Sequence, residues 1–145
     1  MQLGNALARR AILLFDLLRR HGIPVVLEHP RTSRLWLTSE MQARQNSPNT
    51  FVVDLDQCQV GSQWKKCTRL LLANVDVQDL AKLSRRCHGK RGICSSTGLH
   101  HVQLSGTAPG GKCWTRIAAA YPKKLSHAIV ATLTAEQFAR ASYNR

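Results

Sequence analysis

Two groups of residues in this chain have the types and spacing to do chemistry. The first is split between Val25-Val26-Leu27-Glu28-His29-Pro30 and Gly61-Ser62-Gln63-Trp64-Lys65-Lys66-Cys67-Thr68-Arg69. A β-branched run ends in a carboxylate and a proline. Further on, a glycine turn leads through a basic loop into the apolar run Leu70-Leu71-Leu72-Ala73. Each segment puts polar groups at the end of a buried strand, where open α/β sheets build their sites. An acid beside a basic loop suits hydrogen bonding to a nucleobase and charge pairing with its phosphate. Glu28 is the candidate base-contacting residue. Arg31, Arg34, Gln63, Lys65, Lys66 and Arg69 are the candidate nucleic-acid contacts around it.

The second group is Cys87-His88, Cys94, His100-His101 and Cys113. Zinc takes four thiolate or imidazole ligands in a tetrahedron. Cys87, Cys94, Cys113 and His100 form the candidate set; His101 can stand in for His100, and Cys58 or Cys67 for one of the cysteines. The group has no close Cys-x2-Cys pair, so the spacing matches no standard finger. Free buried cysteines with solvent-exposed histidines explain the same letters. A metal contributes most to folding in a loop that lacks its own core. Lys90 and Arg91 lie in this loop and can reach phosphate with or without a metal. Trp36, Trp64 and Trp114 are candidates for stacking on bases, the first two being the better placed. Ser33, His29 and Asp54 lack the surroundings of a hydrolase nucleophile.

The whole chain sets bounds on these readings. Its 145 residues suit one domain, and a hydrophobic fraction of 43% is enough for a core. Lysine and arginine number 21 against 8 acidic residues, a formal charge of +13. Such an excess favours a polyanion partner, and nucleic acid, DNA above all, leads. The basic residues come in scattered pairs such as Arg9-Arg10, Lys65-Lys66 and Lys123-Lys124, so folding must assemble any patch. No apolar run approaches the roughly 20 residues of a membrane span. The short run Ala11 to Phe15 is followed at once by Asp16, Arg19 and Arg20, without a signal-peptide cleavage site. Five cysteines without a secretory signal suit reduced thiols, and an intracellular location in cytoplasm or nucleus.

Periodicity supplies the elements that must carry these residues. Residues 5 to 20 read as an amphipathic helix capped by Asn5, burying Leu7, Ala11, Leu14, Phe15 and Leu18, and stopped by Gly22. Pro24 to Glu28, Phe51 to Leu55 and Arg69 to Val75 read as strands. The third is almost continuously apolar, as suits a strand covered on both faces. Short helices are expected over Leu35 to Arg44 and Val77 to Arg85, the latter capped by Asp76. Residues 86–113 lack periodicity and read as a Cys/His-rich insertion. Trp114 to Tyr121 reads as a helix or turn, Pro122 to Leu133 as a helix, and Thr134-Ala135-Glu136-Gln137 as the capping box of a last one.

In order and type, these segments resemble the C-terminal half of a class I S-adenosylmethionine-dependent methyltransferase of the DNA cytosine-5 type. In that family a strand ending in Glu-Asn-Val supplies a glutamate that hydrogen-bonds the flipped cytosine. Glu28 falls on that glutamate, while His29 and Pro30 depart from the pattern. The family follows with a glycine turn and Gln-x-Arg-x-Arg before an apolar strand. Gly61, Gln63, Lys66 and Arg69 echo it with altered spacing and one lysine for arginine, which keeps charge but loses the bidentate fork. Arg116 to Pro122, with Leu125 to Leu133, resembles the closing helices, and the helix after Gly4-Asn5 the one before the glutamate strand.

The resemblance spans residues 4–133 without the insertion. It implies an α/β half-domain over residues 1–145, with a partial Rossmann-like sheet of about three strands, flanking helices and the insertion at 86–113. It also implies inactivity of the chain alone. No Phe-x-Gly-x-Gly-like cofactor loop precedes residue 24, and no Pro-Cys nucleophile lies upstream; Cys58 comes too late in order. No cofactor is expected for the isolated chain, apart from a structural zinc ion. S-adenosylmethionine would enter only if a partner supplied the missing half. Exposed outer strands would be covered by a second copy or by that N-terminal half. The alternatives are a zinc-stabilised, non-enzymatic nucleic-acid-binding module and a truncated mobile-element remnant without independent function.

Overall fold

The computed structural model describes the backbone of residues 2–143 and the side chains of residues 6–135. Its elements are α1 (Gln2–Arg20), β1 (Val25–Pro30), α2 (Ser39–Gln45), β2 (Thr50–Asp56), β3 (Cys67–Ala73), α3 (Val77–Leu83), α4 (Trp114–Ile117) and α5 (Lys123–Tyr143). Two 3-10 turns, Arg34–Leu37 and Gln57–Val60, precede α2 and follow β2. No described helix is long and apolar enough to cross a membrane.

Helix α1 ends where the glycine signal places its end. Gly22 adopts φ 68°, its N–H bonds the Arg19 carbonyl, and the Ile23 N–H reaches back to Leu18. This pairing closes a helix on a left-handed glycine. The buried face differs from expectation. Ile12 and Phe15 are buried, with Leu18 partly so, whereas Leu7, Ala11 and Leu14 are exposed. The helix has two apolar stripes, and helical periodicity alone does not say which one meets the sheet. The Asn5 cap lies outside the described side chains, and the helix already begins at Gln2.

The helix expected over Leu35 to Arg44 is divided at Thr38, whose backbone is extended. Its hydroxyl donates to the Leu35 carbonyl and accepts from the Met41 N–H, so one side chain closes the 3-10 turn and opens α2. The chain turns into β2 at Asn49, whose φ is 58°. The capping box expected at Thr134 does not open a new helix. Thr134 donates to the Val130 carbonyl at 3.0 Å inside α5, which continues to Tyr143; Glu136 and Gln137 lie outside the described side chains.

The sheet has order β1-β3-β2, with β3 antiparallel to both neighbours. An open parallel, Rossmann-like arrangement is therefore not what these three strands form. Residues 57–66 alone connect β2 to β3, and a parallel crossover needs a dozen or more residues, usually with a helix. The α/β layering itself holds. Leu70, Leu71, Leu72 and Ala73 of central β3 are fully buried, as its continuous apolar run requires. Leu70 and Leu72 face Val53, Leu55, Leu83 and Leu125; Leu71 and Ala73 face Ile12, Phe15, Trp36 and Met41. Each buried leucine contributes about 1.5–3 kcal/mol.

Register gathers the polar groups at one end of the sheet. Pro30 of β1 lies opposite Thr68, and Asp56 of β2 opposite Cys67. The ends of β1 and β2 thus meet the start of β3. There Asp54 and Arg69 face each other across the β2–β3 pair in a bidentate ion pair, at 2.7 and 2.9 Å, and the guanidinium stacks 5.8 Å from the Trp36 ring. The Arg69 hydrogen bonds hold the Asp54 carboxyl below its usual 3.8, against burial, with charge help from Arg31 and Arg86. A depressed folded-state value stabilises the fold above the unfolded value and is lost as pH falls through the folded one. Asp54→Asn should therefore cost about 1–3 kcal/mol in urea unfolding at pH 7. The gap to the wild-type chain should close as pH falls below 3.8. A gap independent of pH would show that the pair does not stabilise the fold.

Candidate functional site

Three segments that the sequence keeps apart converge beside this sheet end. Cys58 sits in the 3-10 turn directly after β2. Cys87 follows α3, and Cys94 and His101 come from the long loop. Their three Sγ atoms and one imidazole nitrogen lie within 4.8 Å of one another. The sequence set is corrected here: Cys58 and His101 complete the group, and Cys113 and His100 are not in it. Cys113 is exposed, pairs with Thr107 in an isolated bridge and precedes α4. His100 pairs with Ile93 and is exposed. The reason is local backbone. The Ile93–His100 bridge folds residues 92–101 into a small hairpin, with Cys94 N–H bonded to Leu99 and His101 N–H to Gly92. His101, one residue past the bridge, brings its Nε2 to 3.7 Å from Cys87 Sγ.

The loop is fastened to the sheet through Asp56, which is fully buried. Its Oδ2 accepts from the Cys87 N–H at 2.8 Å and from Arg86 Nε at 3.2 Å, and its own N–H bonds the Arg85 carbonyl. Burial opposes ionisation of Asp56; the Cys67 thiol, the Cys87 amide and Arg86 outweigh it and lower the carboxyl. On the other side, Lys65 Nζ donates to the Cys87 carbonyl at 3.1 Å, and the Val102 N–H to Gln63 O at 2.8 Å.

Around the sulfurs, the surroundings donate hydrogen bonds. Burial pushes the Cys87 thiol up, but the amide and hydroxyl of Ser95, the Gly89 N–H and Cys58 bring it down to about 6. Burial likewise opposes the Cys94 thiolate, and the Ser96 and Thr97 amides, the Thr97 hydroxyl and His101 lower it to about 7. Cys58, pushed up by burial to about 12, holds its proton beside them. Gln59 Nε2 reaches both Cys58 and Cys94 sulfurs at 3.5 Å. Such donors favour sulfur as a metal ligand. With zinc–sulfur bonds of about 2.3 Å, the edge of a tetrahedral ligand shell is about 3.8 Å. The four donor atoms lie within 4.8 Å of one another, so an ion would draw them together by about an ångström at most.

The other sequence candidates cluster at the same sheet end in different roles. Glu28 points to the α5 side. Its Oε2 accepts from the Tyr121 hydroxyl at 2.6 Å, and its Oε1 is buried without a partner. Burial and the neighbouring carboxylate both push the Tyr121 phenol up. Arg69 is held by Asp54, and Arg31 sits near Asp54 and Cys67. Lys66 donates to the Ala118 carbonyl at 3.4 Å and lies 6.0 Å from the Tyr121 ring centre. Arg34, Gln63, Lys90 and Arg91 are exposed. Tyr121 escaped sequence reading; the only trace was its place before Pro122. Among the tryptophans, Trp36 is buried and packed, its indole N–H on the Pro30 carbonyl.

No family model matches the chain, and comparison with curated proteins and with solved structures gives no match either.

Gly89 supplies a further test of the metal group. A Cβ there would overlap the Ile93 carbonyl and come within 2.8 Å of the Ser95 amide, which caps Cys87. Gly89→Ala should weaken zinc affinity about 10- to 100-fold in a chelator competition, while leaving the sheet's far-ultraviolet signal in place. Undiminished zinc affinity would mean that this loop is not the ligand scaffold.

Proposed function

We propose that this chain is a nucleic-acid-binding module whose long loop is organised by a structural zinc ion. The observation that carries it is the convergence of Cys58, Cys87, Cys94 and His101 from separate segments. A loop of some thirty residues without periodicity gains order when three of its residues share a metal with Cys58 outside it. The nucleic-acid part rests on charge. Among the described residues, only Arg44, Arg69, Lys82 and Arg86 have a carboxylate within ion-pair distance. The other described lysines and arginines leave a strong excess of positive charge facing solvent, and phosphate is its natural complement. One preparation tests both halves. Wild-type protein and Cys113→Ser should carry one equivalent of zinc, and Cys58→Ser should lose it. Binding to duplex DNA should weaken steeply with salt. Zinc retained by Cys58→Ser, or salt-insensitive binding, would overturn the corresponding half.

A second reading keeps the methyltransferase-like half-domain. It is favoured by Glu28, a carboxylate at the end of a strand with one oxygen oriented by Tyr121 and the other without a partner. It is favoured also by the outer edge of β1, which pairs with no described strand. Along that edge runs a groove of about 650 Å³ lined by Leu7, Ala11, Leu27 and Leu35. A partner chain bringing an S-adenosylmethionine site would lie there. Under this reading Glu28 recognises cytosine. The chain should prefer oligodeoxycytidylate to oligothymidylate, and Glu28→Gln should abolish the preference. Equal affinity of the wild-type chain for both would exclude that role.

A further inference from the structure

A second groove opens between the turn after β2 and the α4–α5 corner, with a volume of about 430 Å³. That lies within the roughly 300–1,000 Å³ of small-ligand clefts. Its walls carry Trp64, Trp114 and Tyr121, with Pro122 beside them. The Trp64 indole N–H is oriented by Gln57 at 3.4 Å, and that of Trp114 has no partner among the described side-chain bonds. Ser62 also lines the groove, and its hydroxyl is buried without a hydrogen-bond partner. A buried hydroxyl left unsatisfied implies a partner that the protein does not itself supply.

Charge identifies what kind of ligand fits. Lys66 stands over the Tyr121 ring, the Lys124 side chain passes close to Gly61 at the rim, and Arg116 and Lys123 are exposed on the adjoining helices. None of these four has a carboxylate within ion-pair distance among the described residues. Glu28, the carboxylate beside this groove, is tied to the Tyr121 hydroxyl. Aromatic faces set in a basic rim are the elements that hold unpaired bases while cations track the backbone. A duplex hides the base faces that such rings would cover.

We propose that this groove binds single-stranded nucleic acid, bases stacking on Trp64, Trp114 and Tyr121, phosphates meeting Lys66, Arg116, Lys123 and Lys124, and the Ser62 hydroxyl bonding a base or sugar. The proposal rests on the nucleic-acid reading above and deepens it by naming the strand state and the surface. The zinc group lies behind the same turn, since Gln63 bonds Val102 one residue past His101. The metal loop thereby braces one wall of the groove.

The test uses the full zinc-loaded chain with labelled oligothymidylate, oligouridylate and a mixed-sequence duplex, followed by anisotropy at several salt concentrations. Trp114→Ala should weaken both single strands about 10-fold. It should leave zinc content, salt slope and duplex affinity unchanged, and Trp114→Phe should recover most of the loss. The ratio of the two single-strand affinities separates a DNA from an RNA ligand. Single-strand binding unaffected by Trp114→Ala, with steep salt dependence intact, would overturn the groove and leave the nucleic-acid reading standing. Failure of the wild-type chain to bind any of the three would overturn both. Independently of variants, a 5-bromouracil oligonucleotide irradiated with the wild-type chain should crosslink to Trp64, Trp114 or Tyr121. Crosslinks confined to Trp36 or to the exposed basic loop at Lys90 and Arg91 would place the strand elsewhere.

Discussion

The organisation of this molecule depends on one buried carboxylate. Asp56, at the end of β2, has no exposure to solvent. A charge in that position is costly unless hydrogen bonds compensate it. Arg86 and the Cys87 amide do so, and both belong to the start of the long loop. The bond that satisfies Asp56 thereby fixes Cys87 beside Cys58, which lies two residues beyond Asp56 in the chain. From there the loop needs only its own small hairpin to bring in Cys94 and His101. The Cys67 thiol adds to that compensation, and the carboxyl stays below its usual value despite its burial.

The same corner separates internal cations from external ones. Asp54 and Asp56 hold Arg69 and Arg86, and Trp36 covers Arg69. These arginines knit the β2–β3 pair to the loop. Lys65 and Lys66 touch backbone carbonyls and have no acidic partner among the described residues. The basic turn that looked like one phosphate-binding motif therefore has two parts. One half is internal scaffold; the other contributes to the positive surface around an aromatic groove.

Much of the layout was legible from local pattern. The three strands, the glycine stop of α1, the Asp76 cap and the burial of Leu70 to Ala73 in β3 follow from β-branched runs, φ-tolerant residues and continuous apolarity. Strand direction was not legible. An apolar run suits a parallel sheet and equally the centre of an antiparallel one, and only the short connection at 57–66 decides between them. Helix α1 failed at its face because both its stripes are apolar. In the site, the residue types were visible and their partners were not. Cys58 and Cys113 look alike in sequence, and His100 and His101 are neighbours. The choice is made by the Asp56 anchor and the Ile93–His100 bridge, contacts between residues distant in the chain.

The central claim is that three thiolates and one imidazole from this corner share a zinc ion. X-ray absorption at the zinc edge of the purified, metal-loaded chain tests it most directly. Three sulfur scatterers at about 2.3 Å and one imidazole nitrogen at about 2.0 Å are the expected first shell. A shell dominated by oxygen and nitrogen, or one with fewer than three sulfurs, would contradict it.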